Sequence, residues 1–174
     1  ALRVDPGRPS GHHRRMPTLL QLAAIAALVG AGLITGLLFA FSLVVMRALL
    51  ELPPEEGMST MQRINVLIVR PLFLLPFLGT ALLCVLLGGG ALWQGGAGAI
   101  ALAAGALAYL LGPLGITTAF NVPLNNRLAR VDLREAQVLW PRYAHDWLRW
   151  NHVRTALGAL SIALLAWGLA LSHH

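Results

Sequence analysis

Residues 71–126, PLFLLPFLGTALLCVLLGGGALWQGGAGAIALAAGALAYLLGPLGITTAFNVPLNN, run for 56 positions without a charged side chain. A helix needs about 20 apolar residues to cross the hydrocarbon of a bilayer. The stretch is too long for one such helix and suits two. Trp93-Gln94-Gly95-Gly96-Ala97-Gly98 supplies the turn between them, because clustered glycines punctuate helices. Spans over about 71–93 and 98–119 follow. Trp93 suits the headgroup level. Ala101, Gly105 and Tyr109 share one side of the later span, where small residues let helices approach closely.

Two more uncharged runs flank this one, 31 residues over 16–46 and 20 over 155–174. They predict a first span at about 18–46 and a fourth at about 153–171. Thirty-one helical residues measure about 46 Å against a hydrocarbon core of roughly 30 Å, so the first helix must tilt or project. Pro53-Pro54 ends it. Residues 57–70 form a short helix with Met58, Met61, Asn65 and Ile68 on one face. Asp132, with Glu135 three residues on, resembles a capping box. A helix should start there, pause near Pro141 and continue into the fourth span. The fold class expected is all-α, an integral membrane four-helix bundle over residues 16–172, with a short interfacial helix between spans 1 and 2 and an extended helix leading into span 4. Residues 1–15 read as a loosely held polar tail, and Met16 suits an initiator. The tail and first span differ from a signal peptide in the length of the apolar run and the lack of a small-residue cleavage site. His173-His174 resemble a residual affinity tag and are set aside.

Composition agrees with this reading. Only 11% of residues are charged, against about 25% in an ordinary soluble domain. All 13 basic residues are arginine, against 7 acidic, for a net charge of +6. The arginines sit at the ends of apolar runs rather than along an exposed stripe, which argues against nucleic acid as a partner. Nine of them, from Arg47 to Arg154, lie in the connections 47–70 and 120–154. The positive-inside rule then puts those connections on the cytoplasmic side of a bacterial cytoplasmic membrane. Cys84, the single cysteine, reads as a small buried apolar residue. The glycines 88–90 lack the Lys-Ser or Lys-Thr of a phosphate-binding loop, and no HExxH, CxxC or Gly-x-Ser-x-Gly is present. The acidic residues all fall in connections, so a membrane proton-relay carboxylate is missing. The two halves show no repeat of the transporter kind.

The polar residues at span ends are the functional candidates, because polar groups at membrane depth face the bundle interior or a cavity. His152 opens an apolar span beside Asn151 and Arg154. His145, seven residues earlier, is about 10 Å away along the axis, too far to share a metal, and reads as interfacial. Snorkelling to the interface is the alternative for Arg154. Asn121, Asn125 and Asn126 surround Pro123, which disfavours helix at Val122. They offer more donors than capping needs, and Thr117 and Thr118 extend the polar strip. Uncharged amides suit a phenolic or carbonyl ligand better than a phosphate. Trp140, Tyr143, Trp147 and Trp150 follow a helix face, either as an aromatic belt or as a wall for a flat ligand.

The string Phe120-Asn-Val-Pro-Leu-Asn-Asn-Arg-Leu-Ala after Thr117, followed by Trp140, Tyr143, Trp147 and Trp150-Asn-His-Val-Arg-Thr, resembles the anthrone oxygenase-like family of small four-span membrane proteins. Phe39-Ala-Phe-Ser-Leu-Val-Val-Met is similar to its first-span end, and Met61-Gln-Arg-Ile-Asn65 with Arg70-Pro-Leu-Phe to the start of its second span. The likeness covers about residues 30–160. Arg47 departs from it, standing where a proline is expected. The resemblance implies a four-helix membrane bundle and, for some members, oxidation of anthrones to anthraquinones by dioxygen.

That chemistry is compatible with these residues. Removing the acidic C–H proton of an anthrone gives an electron-rich anion that can react with dioxygen. His152 is the expected base. Asn65, Asn121 and Asn125 are the expected donors to the enolate oxygen. Trp147, Trp150, Asn151, Arg154, Thr117 and Asn126 complete the expected substrate site. No cofactor is predicted. The expected partners are the lipid bilayer and a hydrophobic aromatic small molecule, and a homo-oligomer fits such a bundle as well as a monomer does. Two alternatives stand beside this reading: a non-catalytic binder of a hydrophobic ligand or lipid, or an assembly subunit; and a metal- or haem-dependent oxidoreductase using His152.

Overall fold

The computed structural model describes residues 17–172. The tail 1–15, Met16 and His173-His174 lie outside the described residues. Five helices carry the chain: α1 (Thr18–Glu51), α2 (Pro54–Ile68), α3 (Pro71–Gln94), α4 (Ala99–Leu128) and α5 (Leu133–Leu171). All but α2 are long and apolar enough to cross a membrane. The chain is thus an all-α membrane four-helix bundle. α1 and α4 each pack against α3 and α5, which closes the four into a square, and α2 lies across one end, touching α1, α4 and α5.

Local sequence explains the joints. Leu52 is extended before Pro53-Pro54, and α2 then starts on Pro54 with Glu55 and Glu56 in its first turn, where acidic groups complement the positive end of the helix dipole. Met58 and Met61 are buried there. Gln62 donates to the Leu128 carbonyl at 2.9 Å, tying α2 to the end of α4. The α3–α4 turn uses Gly95 and Gly96 at φ +70° and +102°, a backbone that side chains disfavour. Asp132 accepts a hydrogen bond from the Arg134 N–H at 2.9 Å, and the neighbouring Arg134 guanidinium holds its carboxyl below the ordinary value.

Two expected interruptions do not occur. α5 runs through Pro141 without a pause. Trp140, Tyr143 and Ala144 are buried on either side of the proline, and their packing holds the helix together where one hydrogen bond is lost. The helix also continues past Pro123, so α4 reaches Leu128 rather than ending near 119. Before Pro123 the backbone is wound as a π-helix over Leu110–Asn121, including Pro113. Pro123 then sits in the first turn of the resumed α-helix, where its missing N–H costs little. A second π-helical turn, Phe41–Val45, interrupts α1.

α4 and α5 interlock through glycines. A Cβ on Gly105 would meet Leu165, backbone nitrogen included, at 2.9 Å, and one on Gly168 would meet the Leu102 backbone at 2.8 Å. Ser161 donates to the Gly105 carbonyl at 2.7 Å across the same seam. Gly168→Ala is expected to destabilise the bundle by about 1–3 kcal/mol, because backbone rather than a flexible side chain must move. Thermal unfolding in detergent checks this, with Gly36→Ala, which meets nothing within 4 Å, as the neutral control.

The interior has two apolar cores. One holds Ala27, Ile34, Phe77, Leu87, Tyr109 and Leu165. The other lies under α2 and holds Phe41, Met58, Met61, Trp140, Tyr143 and Trp147. Cys84 belongs to the first, as a small buried residue. Leucines such as Leu19, Leu72 and Leu75 stand 72–90% exposed on the outside, the surface a bilayer would cover.

Candidate functional site

Between the two cores lies a polar layer. On α1 it begins at the Leu38 carbonyl and Ser42, on α4 it spans Thr117 to Asn125, and on α5 it covers Asn151 to Thr155. Both π-helical turns lead into it: Ser42 belongs to the first, Thr117 and Asn121 to the second. A π turn widens the helix and re-aims side chains, and such turns concentrate at functional sites.

Asn151 is the hub and is fully buried. Its Nδ2 donates to the Leu38 carbonyl at 2.8 Å and to Ser42 Oγ at 2.7 Å. Its Oδ1 accepts from Arg154 Nε at 2.9 Å and from a terminal guanidinium nitrogen at 2.7 Å. The other terminal nitrogen of Arg154 donates to Thr117 Oγ1 at 2.8 Å. The guanidinium carbon sits 5.0 Å from the centre of the Trp147 ring, a cation–π distance. Arg154 is 6% exposed, so it does not snorkel. It forms no salt bridge among the described residues, and every group that holds it is neutral. Two of its five N–H groups are left over.

The asparagines continue the layer toward α2. Asn125 Oδ1 accepts from both the Tyr143 hydroxyl at 2.9 Å and Trp147 Nε1 at 3.0 Å. Asn121 donates to the Trp147 carbonyl at 3.3 Å. Asn65, on α2, approaches the Tyr143 hydroxyl. Asn65 Nδ2 and Asn121 Oδ1 are nevertheless buried without a partner, as are Thr35 Oγ1 and Trp140 Nε1. An unpaired buried polar atom costs about 1–3 kcal/mol, so each one calls for a reason.

The expected site residues therefore fall into three groups. Asn65, Asn121, Asn125, Trp147, Asn151, Arg154 and Thr117 meet in the polar layer. His152 stands at its edge: the ring is exposed, with Nδ1 3.0 Å from Ser42 Oγ. Trp150 and Asn126 are elsewhere. Trp150 stacks on Phe120, ring centres 3.6 Å apart. Trp150 lies seven residues after Tyr143 and so on the same side of α5, but its ring pairs with Phe120 of α4 instead of joining Trp140, Tyr143 and Trp147. Asn126 is exposed, one residue off the stripe that carries Asn125. Thr118 is exposed too and bonds carbonyls of its own helix. His145 is exposed and contacts Asp146.

Ser42 was not among the expected residues. It accepts from Asn151 and contacts both His152 and, at 3.5 Å, Thr155. The available signal was a lone hydroxyl inside the apolar run Phe39–Met46. Among the described residues no three His, Cys, Asp or Glu side chains come together. An apolar groove of about 490 Å³ lies apart from the layer, lined by Leu33, Ile34 and Leu37 of α1, Leu72, Phe73 and Pro76 of α3, and Arg70 at the α2–α3 joint.

The sequence model of the anthrone oxygenase family matches residues 70–164, more than half of the chain. No curated protein and no solved structure matches it. The matched stretch contains Thr117, Asn121, Asn125, Trp147, Asn151, His152 and Arg154, and stops short of Ser42 and Asn65. The chain belongs to the anthrone oxygenase family, which gives it an oxygenase-like role at the level of the family.

Proposed function

We propose that this member of the anthrone oxygenase family is a membrane-embedded oxygenase for a flat phenolic substrate of the anthrone type. The observation that carries the reading is Arg154, a buried cation held only by neutral groups, with N–H donors to spare. Such a cation stabilises an anionic oxygen far more than an exposed one does, because little water screens it. Loss of the ring C–H proton puts negative charge on the anthrone oxygen, which is the charge Arg154 would meet. Asn65 and Asn125 supply amide donors beside it, and Trp147 with Phe41, ring centres 5.5 Å apart, forms an aromatic wall.

His152 is the base in this scheme. The tautomer that donates Nδ1–H to Ser42 leaves Nε2 to take the proton. The ring methylene gives up two hydrogens and becomes a carbonyl. One oxygen atom of O₂ enters that carbonyl, and the other leaves with the two hydrogens as water. The chain's own part is to bind the aromatic, hold the anion and move the proton. The substrate reaches the protein from the bilayer, and the end of the bundle that carries α2 and the α4–α5 joint, around which most of the arginines cluster, faces the cytoplasm.

Oxygen uptake by the purified protein with an anthrone tests the reading, against the uncatalysed oxidation. His152→Ala is expected to reduce turnover by about 10²–10⁴-fold, with the fold intact because the ring is exposed. A wild-type rate no higher than the uncatalysed one would sink the oxygenase assignment. The groove near Arg70 favours a second reading, a hydrophobic-ligand binder, and ligand binding without oxygen uptake is its signature.

A further inference from the structure

The amides of the polar layer present opposite faces. Asn125 Oδ1 already takes two donors, from Tyr143 and Trp147, so only its N–H groups remain for a ligand. Asn65 also presents a donor, since its Nδ2 is buried and unpaired. Arg154 adds more N–H groups nearby, against Trp147. Asn121 is reversed. Its Nδ2 is held by the Trp147 carbonyl, which leaves Oδ1 as the free end, and that atom is buried without a donor in a side chain 1% exposed.

An oxyanion or carbonyl suits donors such as these, but it cannot satisfy Asn121, which needs a hydrogen to accept. We propose that Asn121 Oδ1 accepts a hydrogen bond from a phenolic hydroxyl of the ligand, separate from the oxygen held by Arg154, Asn65 and Asn125, and so selects hydroxylated aromatics over bare ones. The scaffold, a flat multi-ring aromatic, rests on the oxygenase reading above. The selection by Asn121 rests on the orientation of its amide. One buried hydrogen bond gained or missed corresponds to about ten- to a hundredfold in affinity.

The experiment is equilibrium binding by calorimetry to the full chain in detergent, with anthraquinone and its 1-hydroxy and 2-hydroxy derivatives as probes. These probes bind without turning over, so the result does not depend on catalysis. At least one hydroxylated probe is expected to bind wild type about ten- to a hundredfold tighter than anthraquinone. Asn121→Leu is expected to bring that probe down to the affinity of anthraquinone. The ratio of two affinities within one variant cancels a general loosening of the fold. Asn121→Ser serves as the second variant if leucine prevents folding. Equal binding of all probes by wild type, a preference that survives in both variants, or no binding at all overturns the assignment. Selective binding that Asn121 controls, without oxygen uptake, keeps it and removes the oxygenase reading instead.

Discussion

Arg154→Met is expected to lower oxygen uptake with an anthrone by about 10²–10³-fold, while the midpoint of thermal unfolding stays within about 4 °C of wild type. The two halves of this result have one physical origin. A guanidinium taken out of water carries a desolvation penalty of several kcal/mol, and no carboxylate among the described residues offsets it. Methionine removes the penalty and fills much of the same volume. Against this, Asn151 Oδ1 and Thr117 Oγ1 lose their donors, which costs about 1–3 kcal/mol. The terms nearly cancel, so the charge is not there for stability. A residue whose loss harms turnover and spares the fold is one whose strain serves function. Oxygen-electrode rates and a thermal melt of the same preparation check both halves, and a collapse of the fold would make Arg154 a structural residue.

Asn151→Leu is expected to do the opposite and destabilise the bundle by about 3–5 kcal/mol. Asn151 makes four hydrogen bonds from one amide, and two of them hold Arg154. Leucine leaves the cation buried with only Thr117 and the Trp147 face, and strips donors from Ser42 and the Leu38 carbonyl. Adding Arg154→Met to Asn151→Leu removes the stranded charge and should restore about half of the loss. This is strong coupling between neighbours, which a double-mutant cycle on unfolding free energies measures directly. Simple additivity of the two changes would show that Asn151 does not act by holding the cation.

Much of this architecture was legible in the sequence. Uncharged runs longer than 20 residues admit few folds, and Gly95-Gly96 and Pro53-Pro54 mark joints that the backbone obeys. The face of Met58 and Met61 was readable because its period matches a helix. The polar layer was legible in composition but not in arrangement. Asn121, Asn125, Asn151 and Arg154 stand out as polar residues at span ends, yet their spacing gives no sign that α4 winds as a π-helix across Leu110–Asn121. The stretch holds Pro113 and ends just before Pro123, and a rule for isolated proline does not describe two prolines carried within one helix. Trp150 lies on the expected side of its helix, but its ring pairs with Phe120 of α4, a contact that spacing along one helix does not reveal. Ser42 needs tertiary structure to be seen, since its partners are 109 to 113 residues away.

The position of the polar layer also bears on how the protein is made. An isolated helix carrying Arg154 inserts into a bilayer at a disadvantage of about 2.5–3.5 kcal/mol when the arginine lies near the middle of the membrane. The groups that relieve it are Asn151 on the same helix, Thr117 on α4, and Leu38 and Ser42 on α1, which anchor Asn151. All of these lie earlier in the chain. By the time α5 leaves the ribosome, its receptors are already in the membrane, and the most polar of the four spans arrives to a prepared slot. A permuted gene that encodes α5 first should insert this helix poorly, although every contact of the finished bundle is still encoded.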